Sequence, residues 1–287
     1  MIYLSRFDFP DKEQESDFAF ALRRTCYTTF YPFQVLSARE LYSLTFEPVT
    51  VLYGGNGCGK TTALNVIAEK LGAERDALYN RSSFFGDYTA LCRAEEREAR
   101  PDECRIVTSD DVFDFMLNLR SANEGIDSRR EELFEEWTQR RYDRFQLRSM
   151  EDYEQLKQVV QARRNTQSQY VRENLATNIR EHSNGESAYL YFTDKIRENG
   201  LYLLDEPENS LSPERQLELK GFLEESVRFF GCQFIIATHS PFLLSMRGAK
   251  VYDLDTVPVR ERRWTELPSV RTYYDFFRSL KHEFGEE

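Results

Sequence analysis

A chain of 287 residues with 40% apolar and 14% aromatic residues can bury the core of one large domain or two small ones, which argues against global disorder. Its formal net charge of -11 argues against nucleic-acid binding over the whole surface, while leaving room for one local basic groove. No run nears the ~18 apolar residues of a membrane-spanning helix, Met1–Pro10 has no signal-peptide core, and five scattered cysteines without a CxxC pair fit neither a zinc site nor a disulfide framework, so the cytoplasm is the expected compartment.

In chain order, Ile2–Leu4, Phe30–Leu36 and Leu44–Phe46 alternate as strands do. Val49–Tyr53 is short, apolar and β-branched, the pattern of a buried strand. It runs into a glycine-rich loop, after which Thr61–Leu71 spaces Ala63, Leu64, Ile67, Ala68 and Leu71 as one helical face. Arg105–Thr108 reads as a strand and Asp110–Arg120 as a helix. From about 129 to 181 the chain is rich in Arg, Glu and Gln, with Trp137, Tyr142, Phe145, Leu147, Tyr153 and Leu156 at roughly helical intervals. This segment is expected to form a helical subdomain, about 110–182, inserted in the α/β core of a single 1–287 domain. Its nearly cancelling charges suit either a solvated face or a docking surface. Leu201–Leu204 is a buried strand ending in Asp205, Arg215–Phe229 an amphipathic helix, and Phe234–Thr238 a second buried strand. Val251–Leu254 is a candidate third strand, and Thr272–Phe284 a helix.

The loop Gly54–Thr62 fits G-x-x-x-x-G-K-[ST] and lies between a strand and a helix. Glycines let successive N–H groups of Gly54, Asn56, Gly57, Cys58 and Gly59 curl toward phosphate oxygens. The helix start adds its positive end, with Thr62 in its first turn. Lys60 would reach the β- and γ-phosphates, and the Thr61 hydroxyl would ligate Mg²⁺. Cys58 is expected to contribute backbone rather than side-chain chemistry. Four apolar residues followed by Asp205-Glu206 supply the complement: Asp205 to hold Mg²⁺ and Glu206 to orient and deprotonate an attacking water. His239 follows a buried strand directly, where an open α/β sheet binds its ligands, and could hydrogen-bond the γ-phosphate.

Four elements in order, GGNGCGKTT (54–62), SNGES (183–187), LYLLDEPENSLSP (201–213) and IIATHSP (235–241), resemble the ABC-type ATPases, specifically the stand-alone SMC/RecF-like bacterial ATPases of the AAA kind. The resemblance implies a P-loop NTPase of ABC type with a mixed or parallel sheet core and inserted helices. It implies ATP and Mg²⁺ as ligands, and ATP-driven closure of two copies head-to-tail. Ser183, Gly185 and Glu186 would then face the γ-phosphate of the opposite copy. The sequence departs from the transporter pattern at His182, where Leu is expected, and at Ser212, which replaces an acid. No glutamine follows Arg105–Thr108, so Ser109 or Asp110 would fill that place. Tyr27, Phe30, Tyr31 and Phe33 are candidates for the adenine contact or for core packing. The DEPE form favours a soluble ATPase in DNA maintenance or defence, with a nucleic-acid or nuclease partner. The alternatives are the nucleotide-binding subunit of a membrane transporter and a non-hydrolysing ATP-gated scaffold. Too few residues follow His239 for a Toprim nuclease, so nuclease activity is not expected in this chain.

Overall fold

The computed structural model describes residues 1–22, 27, 29–97, 101–142, 153–175 and 184–285. It forms two compact units, Met1–Val112 with Ser183–Glu287, and Phe113–His182. In chain order the elements are β1 (Leu4–Asp8), α1 (Lys12–Ala21), β2 (Ser43–Thr45), β3 (Val49–Tyr53), α2 (Lys60–Leu71), α3 (Phe85–Leu91), β4 (Arg93–Glu96), β5 (Glu103–Thr108), α4 (Ser109–Tyr142), α5 (Tyr153–Arg164), α6 (Gln167–Asn174), α7 (Asn184–Lys195), β6 (Gly200–Asp205), α8 (Pro213–Phe229), β7 (Gln233–Ala237), α9 (Pro241–Leu244), β8 (Lys250–Asp253), β9 (Arg260–Glu261) and α10 (Pro268–Ser279).

The larger unit is built on a six-stranded sheet of order β5-β6-β7-β3-β8-β9, parallel except for the β9 edge. Every residue of β3, β6 and β7 is buried, as expected of central parallel strands covered on both faces. The register is level: Leu52 and Asp205 both pair with Ala237. The strands β3, β6 and β7 therefore end side by side. The helix α2 packs under this sheet with Thr62 to Ala68 all buried, so it behaves as a core helix rather than a surface one.

A three-stranded antiparallel sheet, β2-β1-β4, completes the unit. Gln233 joins the two sheets. Its side chain is fully buried; Oε1 accepts from the N–H groups of Tyr3 (2.7 Å) and Leu4 (3.0 Å), and Nε2 donates to the carbonyls of Leu4 (2.9 Å) and Glu47 (3.3 Å).

Phe30–Leu36 is not a strand. Phe33 N–H donates to the Phe30 carbonyl, Val35 N–H to the Pro32 carbonyl, and Gln34 takes φ 65°. Pro32 has no N–H to give a ladder, and the apolar residues reach the core through turns instead. The helix expected over Asp110–Arg120 continues to Tyr142. The helix α1 lies in a stretch without a clean apolar face; Asp11 caps it in a reciprocal pair with Gln14. The smaller unit gathers Leu133, Ala162, Tyr170 and Val171 into its own core beside Trp137, whose indole N–H donates to the Asn165 carbonyl at 3.2 Å. Phe145 and Leu147 lie outside the described residues. Among the described residues no helix is long and apolar enough to cross a membrane.

Replacing Gln233 with Leu leaves two N–H groups and a carbonyl of the N-terminal strand buried and unpaired. This is expected to cost about 3 kcal/mol, seen in thermal denaturation as a melting temperature lower by about 6 °C or more.

Candidate active site

Residues 54–59 leave β3 and turn into α2, whose N-terminal cap is Gly59. Gly59 takes φ 104°, and a Cβ there would stand 3.1 Å from Leu36 Cδ2. The position needs both the left-handed backbone and the missing side chain. Cys58 is buried and its sulfur packs under the loop, since a Cβ on Gly54 would lie 2.5 Å from Sγ. Burial raises the Cys58 thiol above its ordinary range. Asn56, Gly57 and Thr61 are exposed, while Thr62 is buried and its hydroxyl accepts from Tyr31 at 3.2 Å.

Lys60 is only 4% exposed. Its ammonium donates to the carbonyls of Gly54 (2.7 Å) and Gly55 (3.1 Å) and lies 3.7 Å from Glu206 Oε1. The loop is held from its other side by Asp255, whose two carboxylate oxygens accept from the Gly55 N–H at 2.9 and 3.0 Å. Asp255 follows β8, itself paired with β3.

Asp205 ends β6 and is buried. Loss of hydration pushes its carboxyl up to about 7. A hydrogen bond from Thr61 and the charge of Lys60 oppose this rise, and the charges of Glu206 and Glu208 add to it. Its Oδ1 has no hydrogen-bond partner. Glu206 sits in the left-handed region at φ 48°, costing roughly 1 kcal/mol for a residue with a Cβ. Its N–H donates to the Ala237 carbonyl at 2.8 Å, and Asn209 Nδ2 donates to its Oε2 at 3.1 Å. His239, half exposed, places Nδ1 3.9 Å from Glu206 Oε1 and 3.5 Å from Glu208 Oε1.

The structure thus brings Lys60, Thr61, Asp205, Glu206 and His239 together at the carboxyl ends of the central strands. It adds two residues not singled out from sequence, Glu208 and Asp255, and places the hydroxyl of Tyr31 on Thr62. The DEPE spacing was the signal for Glu208; Asp255 had only its place after a strand. Gly185 and Glu186 open α7. A Cβ on Gly185 would come within 3.0 Å of the Ser210 carbonyl, so the absence of a side chain serves a close approach inside the unit. Ser183 and His182 lie outside the described residues. Ser212 caps α8, accepting from the Arg215 N–H at 3.4 Å, ahead of Pro213. Ser109 and Asp110 begin α4. The neighbouring Asp111 is the buried one, accepting from the N–H groups of Ala77 and Thr108 at 2.6 Å each. Tyr27 and Phe30 pack against Phe84, and Phe33 against Phe18 and Tyr88, so these rings serve the core.

Residues 109–245 match the family model described as "AAA domain, putative AbiEii toxin, Type IV TA system". This match spans a little under half of the chain. No curated relative matches this chain in sequence. Among solved structures, the chain is similar to an SMC head domain with an extended coiled coil, bound to the C-terminal domain of ScpA, from Pyrococcus furiosus (12% identity, 98% of this chain and 100% of that one, TM-score 0.45). It is also similar to the SMC head domain from Thermotoga maritima (13% identity, 88% and 94%, TM-score 0.36). A third likeness is to a putative metal-chelate type ABC transporter in an inward-facing conformation (16% identity, 79% and 76%, TM-score 0.36).

Among the described residues no cluster of three or more His, Cys, Asp or Glu forms a metal cage. A Mg²⁺ that arrives with nucleotide needs none, because phosphate oxygens and water fill most of its coordination. The buried, partnerless Oδ1 of Asp205 beside Thr61 suits such an ion.

Asp205 has the sign of a group whose proton is favoured by folding. Its stabilising contribution is full below the ordinary carboxyl value and is lost as pH rises through about 7. Without nucleotide or Mg²⁺, Asp205→Asn is therefore expected to melt at least about 2 °C above the parent chain at pH 8, with the gap closing toward pH 5 in thermal scans.

Proposed function

We propose that this chain hydrolyses ATP, and that two copies close head-to-tail around the nucleotide during each cycle. The observation that carries the reading is that β3, β6 and β7 end side by side, where two acids and one histidine at or just past the strand ends meet the lysine that opens α2. N–H groups of Gly57–Thr62 and the start of α2 would cradle the phosphates. Lys60, now donating to the Gly54 and Gly55 carbonyls, would exchange these for β- and γ-phosphate oxygens. Thr61 and Asp205 would hold Mg²⁺, which when bound neutralises charge on the phosphate oxygens.

Glu206 would accept a proton from water as its oxygen attacks the γ-phosphorus. The bond from that phosphorus to the bridging oxygen breaks, and ADP and phosphate leave. His239 would hydrogen-bond the γ-phosphate. Ser183, Gly185 and Glu186 of the second copy would complete the site. The soluble cycle would work in the cytoplasm, in defence or DNA maintenance, upon a nucleic acid or a partner protein. The toxin-system wording of the family description supports the defence side.

Two variants test this. Lys60→Ala is expected to lose ATP affinity by about 100-fold or more in calorimetry. Glu206→Gln is expected to bind ATP and Mg²⁺, accumulate as a dimer in light scattering, and hydrolyse at least about 100-fold more slowly. A Glu206→Gln chain that remains monomeric and turns over ATP at the parental rate removes the mechanism.

A further inference from the structure

Glu208 stands three residues past Asp205, and neither phosphate binding nor water activation uses it. Its side chain is nevertheless only 5% exposed. A carboxylate is kept out of water only where other donors replace its hydration. Here the donors come from three consecutive residues of one turn and all reach Oε1, while Oε2 is buried without a partner. Oε1 accepts from the Thr238 hydroxyl at 2.6 Å, the His239 N–H at 2.9 Å and the Ser240 N–H at 3.2 Å. The same oxygen lies 3.5 Å from His239 Nδ1. Ser240 is fixed in turn: its hydroxyl donates to Gln216 Oε1 at 2.7 Å and accepts from the N–H groups of Phe242 and Leu243.

The loop from β6 and the turn after β7 are thus joined twice, by the Glu206 N–H on the Ala237 carbonyl and by the Glu208 oxygen on residues 238–240. The first contact continues the sheet. The second is made by a side chain and is directed at the one histidine of the site.

We infer that Glu208 is a positioning residue for His239. It fixes the main chain that carries the imidazole and faces Nδ1, which leaves Nε2 as the nitrogen available to a ligand. The kinetic part of this inference rests on the proposed ATP cycle; the structural part does not.

The test uses the full-length chain with Glu208→Ala, Glu208→Gln, His239→Ala and the double variant Glu208→Ala/His239→Ala. In Glu208→Ala the amides of His239 and Ser240 should exchange hydrogen at least about tenfold faster, with the amides of Gly57–Thr62 unchanged. Its kcat should fall about tenfold or more, with KM for ATP within about twofold. Glu208→Gln keeps an acceptor oxygen and should restore slow exchange and most of kcat. In the His239→Ala background, adding Glu208→Ala should cost no more than about twofold, because the two act as one unit. Unchanged exchange at His239 and Ser240 overturns the inference, as does a full extra loss of kcat in the double variant. A parent chain that fails to hydrolyse ATP instead overturns the proposed cycle, and amide exchange then still decides whether Glu208 holds the turn.

Discussion

Everything at the candidate site depends on one parallel hydrogen-bond register. The partners of Ala237 are Leu52 on one side and Asp205 on the other. A parallel ladder shifted by one residue would turn every side chain of a strand to the opposite face. In strands buried on both faces, that shift would also move the strand end by one residue, about 3.3 Å. Lys60 and His239 each come within 4 Å of Glu206 only because the three ends are level. The site is therefore a property of sheet pairing before it is a property of any side chain.

The second constraint is charge. Asp205, Glu206 and Glu208 put three acids into four residues, a crowding that would be unfavourable if all shared one environment. Each is handled differently. Asp205 is withdrawn into the protein beside Thr61 and Lys60. Glu206 is turned out by a left-handed backbone to a partly exposed place between Lys60 and Asn209. Glu208 is buried against the donors of the β7 turn. On the other side of the loop Asp255 adds a fourth acid, directed at a single backbone N–H. Local backbone geometry, more than distance along the chain, separates their roles.

The strands that carry the site were plain in the sequence because a doubly buried parallel strand leaves a continuous apolar run. Val49–Tyr53, Leu201–Asp205 and Phe234–Ala237 have this form, and polar residues with distinctive chemistry punctuate their ends. The alternation in Phe30–Leu36 misled because apolar residues can reach a core from turns, and Pro32 marks the place. The helix α1 was hidden because Lys12–Ala21 mixes charged and aromatic residues without a clean face; its one signal was the Asp11–Gln14 spacing. The residues that hold the site in position were out of reach for a different reason. Glu208 meets a turn some thirty residues away, and Asp255 meets a loop two hundred residues back. Such pairings are made by topology: the DEPE spacing marks Glu208 as part of the motif, but no local pattern names the partner of either residue.

Gln233 belongs to the same class of distant partner, and its place has a consequence for how the molecule comes apart. It begins β7, the strand that leads to His239, and it satisfies the backbone of Tyr3 and Leu4. The first strand of the chain cannot fray without stripping the partners from a fully buried amide at the root of β7. Local opening at an N-terminus ordinarily has almost no free-energy cost. Here opening of the first strand is coupled to the central sheet through the buried amide of Gln233.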